Sequence, residues 1–569
     1  MPSSSDVIDA GPAARRARVA APGALRVGRV RDLLRGTVPV RVVAWVAVAA
    51  LVGVPLVAVL SLAIASGQIG ILASEDVAVA AWHSAVSSVL GAAGAVVLGG
   101  ALAIVLERTD VPGRAALRLL ACSPLLMPPF VGAIAWIGVA GPMSPVNRWW
   151  TETFGGPLWS IYGGDGVVFL LVVHGYPVAM LIVGAALRRL PADLEQAARI
   201  AGASTLRAFA AVVVPLLRPA LLSSATLLAV SNLADFGIPS IVGLPERFTT
   251  LSTLVYRYLQ SATVDDPLGA VATIGSVLLA VALAGLVADA LIGRRRVELD
   301  AGASAPARTP LGAWRLPIAA GSWIVVAALT VLPIVALATQ SLVPAAGVPL
   351  TWETVTLDNL VRAVTSEHAL AGMRTSIMLA VLAAVVCTVL GLVVGALVTR
   401  TRSRDNRALH AAAIVPQAIP GLVIAVAWLV IAPRIGLFDT PWIILVAYVT
   451  AFLGLVVQAV HAPLSATSTT AEEAARVAGA SPLRALVDVS WRMATPAAIA
   501  GGVLVLLTAA RELTLSALLL SPGAQTLGVA IFNLQQAGDY NAASALSLVV
   551  ALVGLAGLGL AARTPQERS

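Results

Sequence analysis

Residues 195–208 read EQAARIAGASTLRA, and residues 472–485 read EEAARVAGASPLRA. Eleven of the fourteen positions are identical, at an offset of 277 residues in a chain of 569. A segment repeated at about half the chain length signals an internally duplicated architecture. Each copy places an acid four residues before an arginine, Glu195 with Arg199 and Glu472 with Arg476. That order favours an exposed helix by about 0.2–0.5 kcal/mol per pair. Thr470 with Glu473 fits a capping box. Gly202 and Gly479 can end the helix in the left-handed conformation. Ser204 and Ser481 can cap a second helix, and Pro482 suits its first position. Two short helices around a glycine bend are therefore expected in both copies. The alanines of the first helix, Ala198 and Ala475 among them, let another surface approach closely.

The chain around these loops is 59% hydrophobic and 12% charged, with a mean hydropathy of +0.92. Soluble chains are about 45–50% apolar and about 25% charged, so this composition belongs in a bilayer. Twelve runs are long and apolar enough to span it: 42–66, 84–106, 117–140, 166–187, 218–243, 269–292, 316–340, 375–399, 410–432, 442–462, 497–520 and 543–562. The first is read as a retained anchor, since it is too long for a signal peptide and follows a 41-residue arm. All 37 basic residues are arginine. With the N-terminus inside, thirty of them fall on inside segments and six on outside segments, which fixes both termini on the cytoplasmic side. The net charge of +8 is thus topology and not a nucleic-acid footprint. Arg15, Arg16, Arg18, Arg26, Arg29, Arg31 and Arg35 make the N-terminal arm basic, an orientation signal able to touch anionic lipid.

Both duplicated loops follow the fourth span of a six-span half. Six spans return the chain to its starting side, so the halves are parallel repeats. The expected organisation is a basic arm (1–41), a first repeat (42–293), a cytoplasmic linker (294–315), a second repeat (316–562) and a cytoplasmic tail (563–569). Cys122 and Cys387 lie in apolar runs, and no zinc or redox pattern is legible.

The loops resemble the EAA signature of binding-protein-dependent ABC importer permeases: E-A-A, three residues, Gly, nine residues, then hydrophobic-x-hydrophobic-Pro. Glu195, Ala197, Ala198, Gly202, Val212, Val214 and Pro215 match in the first copy, with Gln196 in the first alanine place. Glu472, Ala474, Ala475, Gly479 and Val489 match in the second, where Trp491 and Arg492 replace the usual Leu-Pro. The resemblance implies an all-α polytopic membrane protein of about twelve transmembrane helices, two parallel six-helix repeats like a type I ABC importer permease. It implies a coupling helix in each loop, seated in a cytoplasmic ATPase, and so two ATPase subunits per chain. Glu195, Ala198, Arg199, Gly202 and Ser204, with Glu472, Ala475, Arg476, Gly479 and Ser481, are the expected coupling residues. ADFGIPSIVGLPERFTTLSTLVY in the first half and RELTLSALLLSPGAQTLGVAIF in the second are similar to the fused subfamily that includes ferric-iron and thiamine importers. Ferric iron is the first choice of cargo, with thiamine, aminophosphonate and polyamine as alternatives. An extracytoplasmic substrate-binding protein is the implied outside partner, in a bacterial inner membrane.

Two features bear on energy and pathway independently of family. A Walker A loop needs a lysine at the phosphates, and this chain contains no lysine. ATP and magnesium are therefore expected on partner subunits, with no cofactor, metal or catalytic residue in this chain. Asp235 and Glu512 fall inside expected spans, 277 residues apart. Intramembrane acids are pathway candidates by default. They either line a central passage, with Arg511 beside Glu512, or satisfy neighbouring polar groups to lock packing. His174 and Tyr176 in the fourth span are expected to hydrogen-bond between helices rather than to ligate metal. A secondary transporter driven by an ion gradient also has repeats and midplane charges, but would not need twin inside loops better matched than the spans.

Overall fold

The computed structural model describes residues 38–261, 264–293, 308–401, 403–519 and 523–563. The basic arm up to residue 37, most of the expected linker (294–307) and the tail from 564 lie outside the described residues. Within them the chain is helical, without a β-strand.

Two 34-residue helices, Glu75–Arg108 and Glu367–Arg400, are the longest elements. Ser74 and Ser366 cap them, accepting from Val77 N and Ala369 N at 3.4 Å, with acids in each first turn and an arginine ending each last turn. At 1.5 Å per residue each is about 50 Å long, against a hydrocarbon core of about 30 Å, so their ends project beyond it. The first packs on Gly164–Arg189 through a glycine seam: side chains of Leu171 and Val172 press on Gly91 and Gly94, and the backbone of Met180 on Gly99. The second packs on Pro441–Ala466 through Gly391 and Gly395, against Val456 and Val460.

Among the described residues ten helices are long and apolar enough to cross a membrane, and the bent pair Asn406–Ala418 and Gly421–Ile435 makes an eleventh candidate. The last of the twelve expected runs falls in the 24-residue helix Tyr540–Arg563. Four expected spans are not continuous. The run 117–140 divides into Arg114–Ala121 and Pro129–Ala140 across Pro124 and Pro128. The run 410–432 bends by 106° across Pro416 and Pro420. The runs 218–243 and 497–520 stop at Ala234, immediately before Asp235, and at Ala510, two residues before Glu512. Proline removes a backbone donor and biases its predecessor away from the helix, whereas hydropathy is unaffected by either change.

The repeat is not kept at one offset. Helices Gly164–Arg189 and Pro441–Ala466 correspond at 277, but Glu75–Arg108 and Glu367–Arg400 correspond at 292, as do Pro124 with Pro416 and Pro128 with Pro420. The first half carries its extra residues around helix Pro145–Phe154, and the second carries its own around helix Asp358–Thr365. The two insertions touch, Arg148 donating to the carbonyl of Gly347, and they wall a pocket of about 270 Å³.

The halves are interlocked. Helix Val38–Ala65 packs on Gly421–Ile435 of the second half, and Thr450 Oγ1 of helix Pro441–Ala466 donates to Leu51 O at 3.0 Å. Helix Arg315–Ser341 packs in turn on Pro129–Ala140 of the first. A crosswise latch holds the start of each first helix: Arg41 meets Asp405 at 2.8 Å, and Arg315 meets Asp110 at 3.5 Å. Ser403, then Trp45 and Arg41, hold the Asp405 carboxyl well below the usual carboxylate range, against the opposing effect of burial. Such a group adds stability above its unfolded pKa of about 3.9 and loses it as pH falls through the depressed value. Asp405→Asn is therefore expected to lower the thermal midpoint at pH 7, with the deficit closing in strong acid. A pH series of melts of the detergent-solubilised chain checks this; equal midpoints at pH 7 would dismiss the latch.

Candidate functional site

The four broken runs converge on one cavity of about 600 Å³. Pro124, Leu125 and Phe130 line it from one break and Pro416, Gln417 and Ile419 from its counterpart. Asp235, Arg511 and Glu512 line it from the other two. Both halves thus contribute matching walls to a single chamber between them.

Each acid sits where its helix stops. Asp235 is in extended conformation after Ala234, and its Oδ1 accepts from Ile238 N at 2.8 Å. Its carbonyl accepts from Ser252 Oγ at 2.7 Å. Glu512 accepts from Leu515 N at 2.8 and 2.9 Å and from Ser516 N at 3.2 Å. A span interrupted in a bilayer must satisfy its freed backbone groups internally, and here the acids do so. The same half-buried carboxylates face the cavity, so the two sequence readings of these residues are not exclusive. Arg511, which also lines the cavity, donates to the carbonyl of Leu125 at the break in the other half.

His174 also lines the cavity, and its ring is packed against Gly132. Its Nε2 and the Tyr176 hydroxyl have no hydrogen-bond partner among the described residues, contrary to the interhelical bonds expected of them. Among the described residues no three His, Cys, Asp or Glu side chains group to hold a metal.

The duplicated loops fold as two short helices around a glycine. Ala192–Ile200 is followed by Thr205–Ala208, and Thr470–Val477 by Pro482–Ala485. Gly202 and Gly479 have φ of +91° and +95°. Ala203 N returns to Ala198 O and Ala480 N to Ala475 O, both at 3.0 Å. Ser204 and Ser481 cap the second helices, accepting from Arg207 N and Arg484 N. Arg199, Gly202, Ser204, Gly479 and Ser481 are exposed, and Ala198, Ala475 and Arg476 are half-buried.

Two local expectations are corrected. Thr470 does not form a capping box with Glu473; its hydroxyl bonds Ser468, while Thr469 reaches Glu473 at 3.1 Å. Glu195 and Glu472 do not pair with Arg199 and Arg476 four residues on. Glu195 is buried against Arg108, and Glu472 lies 3.0 Å from Arg400 and accepts from Ser490. A distant arginine fixed at a helix end outcompetes a flexible one on the exposed face, where an ion pair is worth little. Arg108 and Arg400 escaped sequence reasoning. Their one sequence signal, an arginine at the end of the second span of each half, reads only as inside charge.

The family described as binding-protein-dependent transport system inner membrane component matches residues 37–297 and 388–563. A probable ABC transporter permease protein, y4fN, of Sinorhizobium fredii is 26% identical over 90% of this chain and 93% of its own length. The Fe(3+)-transport system permease protein FbpB 2 of Haemophilus influenzae is 24% identical over 79% of this chain and 82% of its own. The molybdenum transport system permease protein ModB of Escherichia coli is 26% identical over 28% of this chain and 69% of its own.

Proposed function

The chain belongs to the family of binding-protein-dependent transport system inner membrane components, and from that premise we propose that it is the two-repeat permease of an ATP-driven ferric-iron importer. Members of this permease family work with separate ATPase and binding-protein subunits. The observation that carries the reading is the pair of loops. Two copies of one helix–glycine–helix unit, each after a helix that walls the cavity, suit two ATPase subunits acting on one passage. The two units, Glu195 to Ser204 and Glu472 to Ser481, are the coupling surfaces. In this reading ATP and magnesium belong to the partner subunits, which is supported by the missing lysine, since a Walker A loop needs one. The loops lie on the cytoplasmic side, with both termini, in a bacterial inner membrane. The repeats run from 42 to 293 and from 316 to 562.

Iron is favoured over other cargo because a relative named for ferric transport aligns along most of both chains, while the one named for molybdenum aligns with a short part of this one. The paired acids suit a cation, and thiamine and polyamine share that virtue. Cargo passes from the binding protein into the cavity as the chamber opens outward, and leaves as it opens inward. The test is uptake by proteoliposomes holding the chain, its ATPase and its binding protein. ATP-dependent uptake of ferric ion, unaffected by collapse of ion gradients and not displaced by thiamine, is expected. Uptake driven by a gradient without ATP would identify a secondary transporter instead.

The acids have their own test. Asparagine and glutamine retain an acceptor oxygen for the helix breaks while removing the charge. Asp235→Asn with Glu512→Gln should therefore leave expression unchanged and lower uptake about tenfold or more. Uptake at the parent rate would leave these residues a packing role only.

A further inference from the structure

We propose that Arg108 and Arg400 are positioning residues that lock each EAA loop to a long helix, so that loop and helix pair move as one body. The inference rests on the importer reading above.

Arg108 and Arg400 end the two 34-residue helices and correspond at the offset of 292, while Glu195 and Glu472 correspond at 277. The first half has extra residues between arginine and acid, yet both contacts are made. The side chains are 4% and 7% exposed in the first pair, and 3% and 14% in the second. Among the described side chains of Ala192–Ile200, Glu195 alone is buried, while Ile200 is 88% exposed. In the second loop no residue of Thr470–Val477 is buried, and Val477 is 88% exposed. Each acid thus ties an otherwise largely exposed short helix to the long helix through its ion pair.

The surroundings extend the lock. Glu107 Oε1 accepts from Arg118 and from Arg188 near the end of helix Gly164–Arg189, tying that helix to Glu75–Arg108 at the same level. Arg400 also donates to the carbonyl and hydroxyl of Thr467, just after Pro441–Ala466. Above these ties run the glycine seams. A force on either loop therefore reaches two packed helices together, and one of the two carries cavity-lining residues: His174 in the first half, Ala451 in the second. With the pair broken, the loop is free to swing on its chain connections while the helices stay behind. Removing one partner of a buried ion pair also strands the other charge, which favours such displacement.

The assembled importer, with ATPase and binding protein, tests this through Arg108→Gln with Arg400→Gln. ATPase co-purification and ATP turnover should persist, while cargo moved per ATP falls at least tenfold. Spin labels at positions 200 and 477 should gain mobility in the same variant. Unchanged cargo per ATP, or unchanged label mobility, overturns the proposal. Loss of co-purification in loop variants of the exposed face would instead fail the importer reading. Should the double variant not accumulate, the reversed pairs Arg108→Glu with Glu195→Arg and Arg400→Glu with Glu472→Arg decide. Coupled uptake in that swap supports the lock, and a folded but uncoupled swap refutes it.

Discussion

Gly202→Val combined with Gly479→Val is expected to reduce uptake to background and to cut ATPase co-purification at least tenfold. Both glycines hold positive φ, +91° and +95°, and no atom lies within 4 Å of where a Cβ would stand. The cost is therefore conformational and not a clash. A β-branched residue held at positive φ costs roughly 1–3 kcal/mol, and about 1.4 kcal/mol is a factor of ten in population. Two such positions make the bent loop a minority conformation, and the two short helices lose their fixed angle. Asparagine tolerates the left-handed region better, so Gly202→Asn with Gly479→Asn should recover much of the loss. The measurement is ATPase co-purification beside transport at equal membrane abundance. A valine pair that docks and transports normally would remove the bend from the coupling scheme.

Gly99→Val should be as damaging by a different route. A Cβ there would stand 2.7 Å from Met180 N and 2.8 Å from Ala179 Cβ, in the middle of the seam between Glu75–Arg108 and Gly164–Arg189. Backbone atoms of a packed helix have no rotamer to escape into, so the helices must separate. Overpacking of this kind typically costs about 1–3 kcal/mol, and more where backbone must shift. A drop in thermal midpoint of several degrees and loss of uptake are expected. Gly100→Ala is the matched control, because the nearest atom to its Cβ is Leu221 Cδ2 at 3.9 Å. If the two variants melt alike, the seam is not the tight contact described. The Gly99 result also bears on the proposed lock, which needs a helix pair that moves together.

The contrast between these glycines shows which features are local. Gly202 and Gly479 were legible because each sits between a helix pattern and a capping serine, and left-handed termination is a property of a few adjacent residues. Gly99 carries no such signal; its importance comes from a neighbour whose position is set by folding. The acids divide in the same way. The repeat marks Asp235 and Glu512 as equivalents, but the helix breaks they cap depend on where Ile238 and Leu515 turn.

Composition and repetition were enough for the all-helical membrane class, the duplication and the loop geometry, because each rests on residue type or on spacing within one turn or two. The convergence of four broken runs on one chamber was decided only in three dimensions. So were the interlocked first helices and the pairing of Glu195 with Arg108. Hydropathy averages over about twenty residues and does not register a seven-residue break. A charge four positions away looks like the natural partner until folding brings a buried one from 87 positions away and removes the water between them.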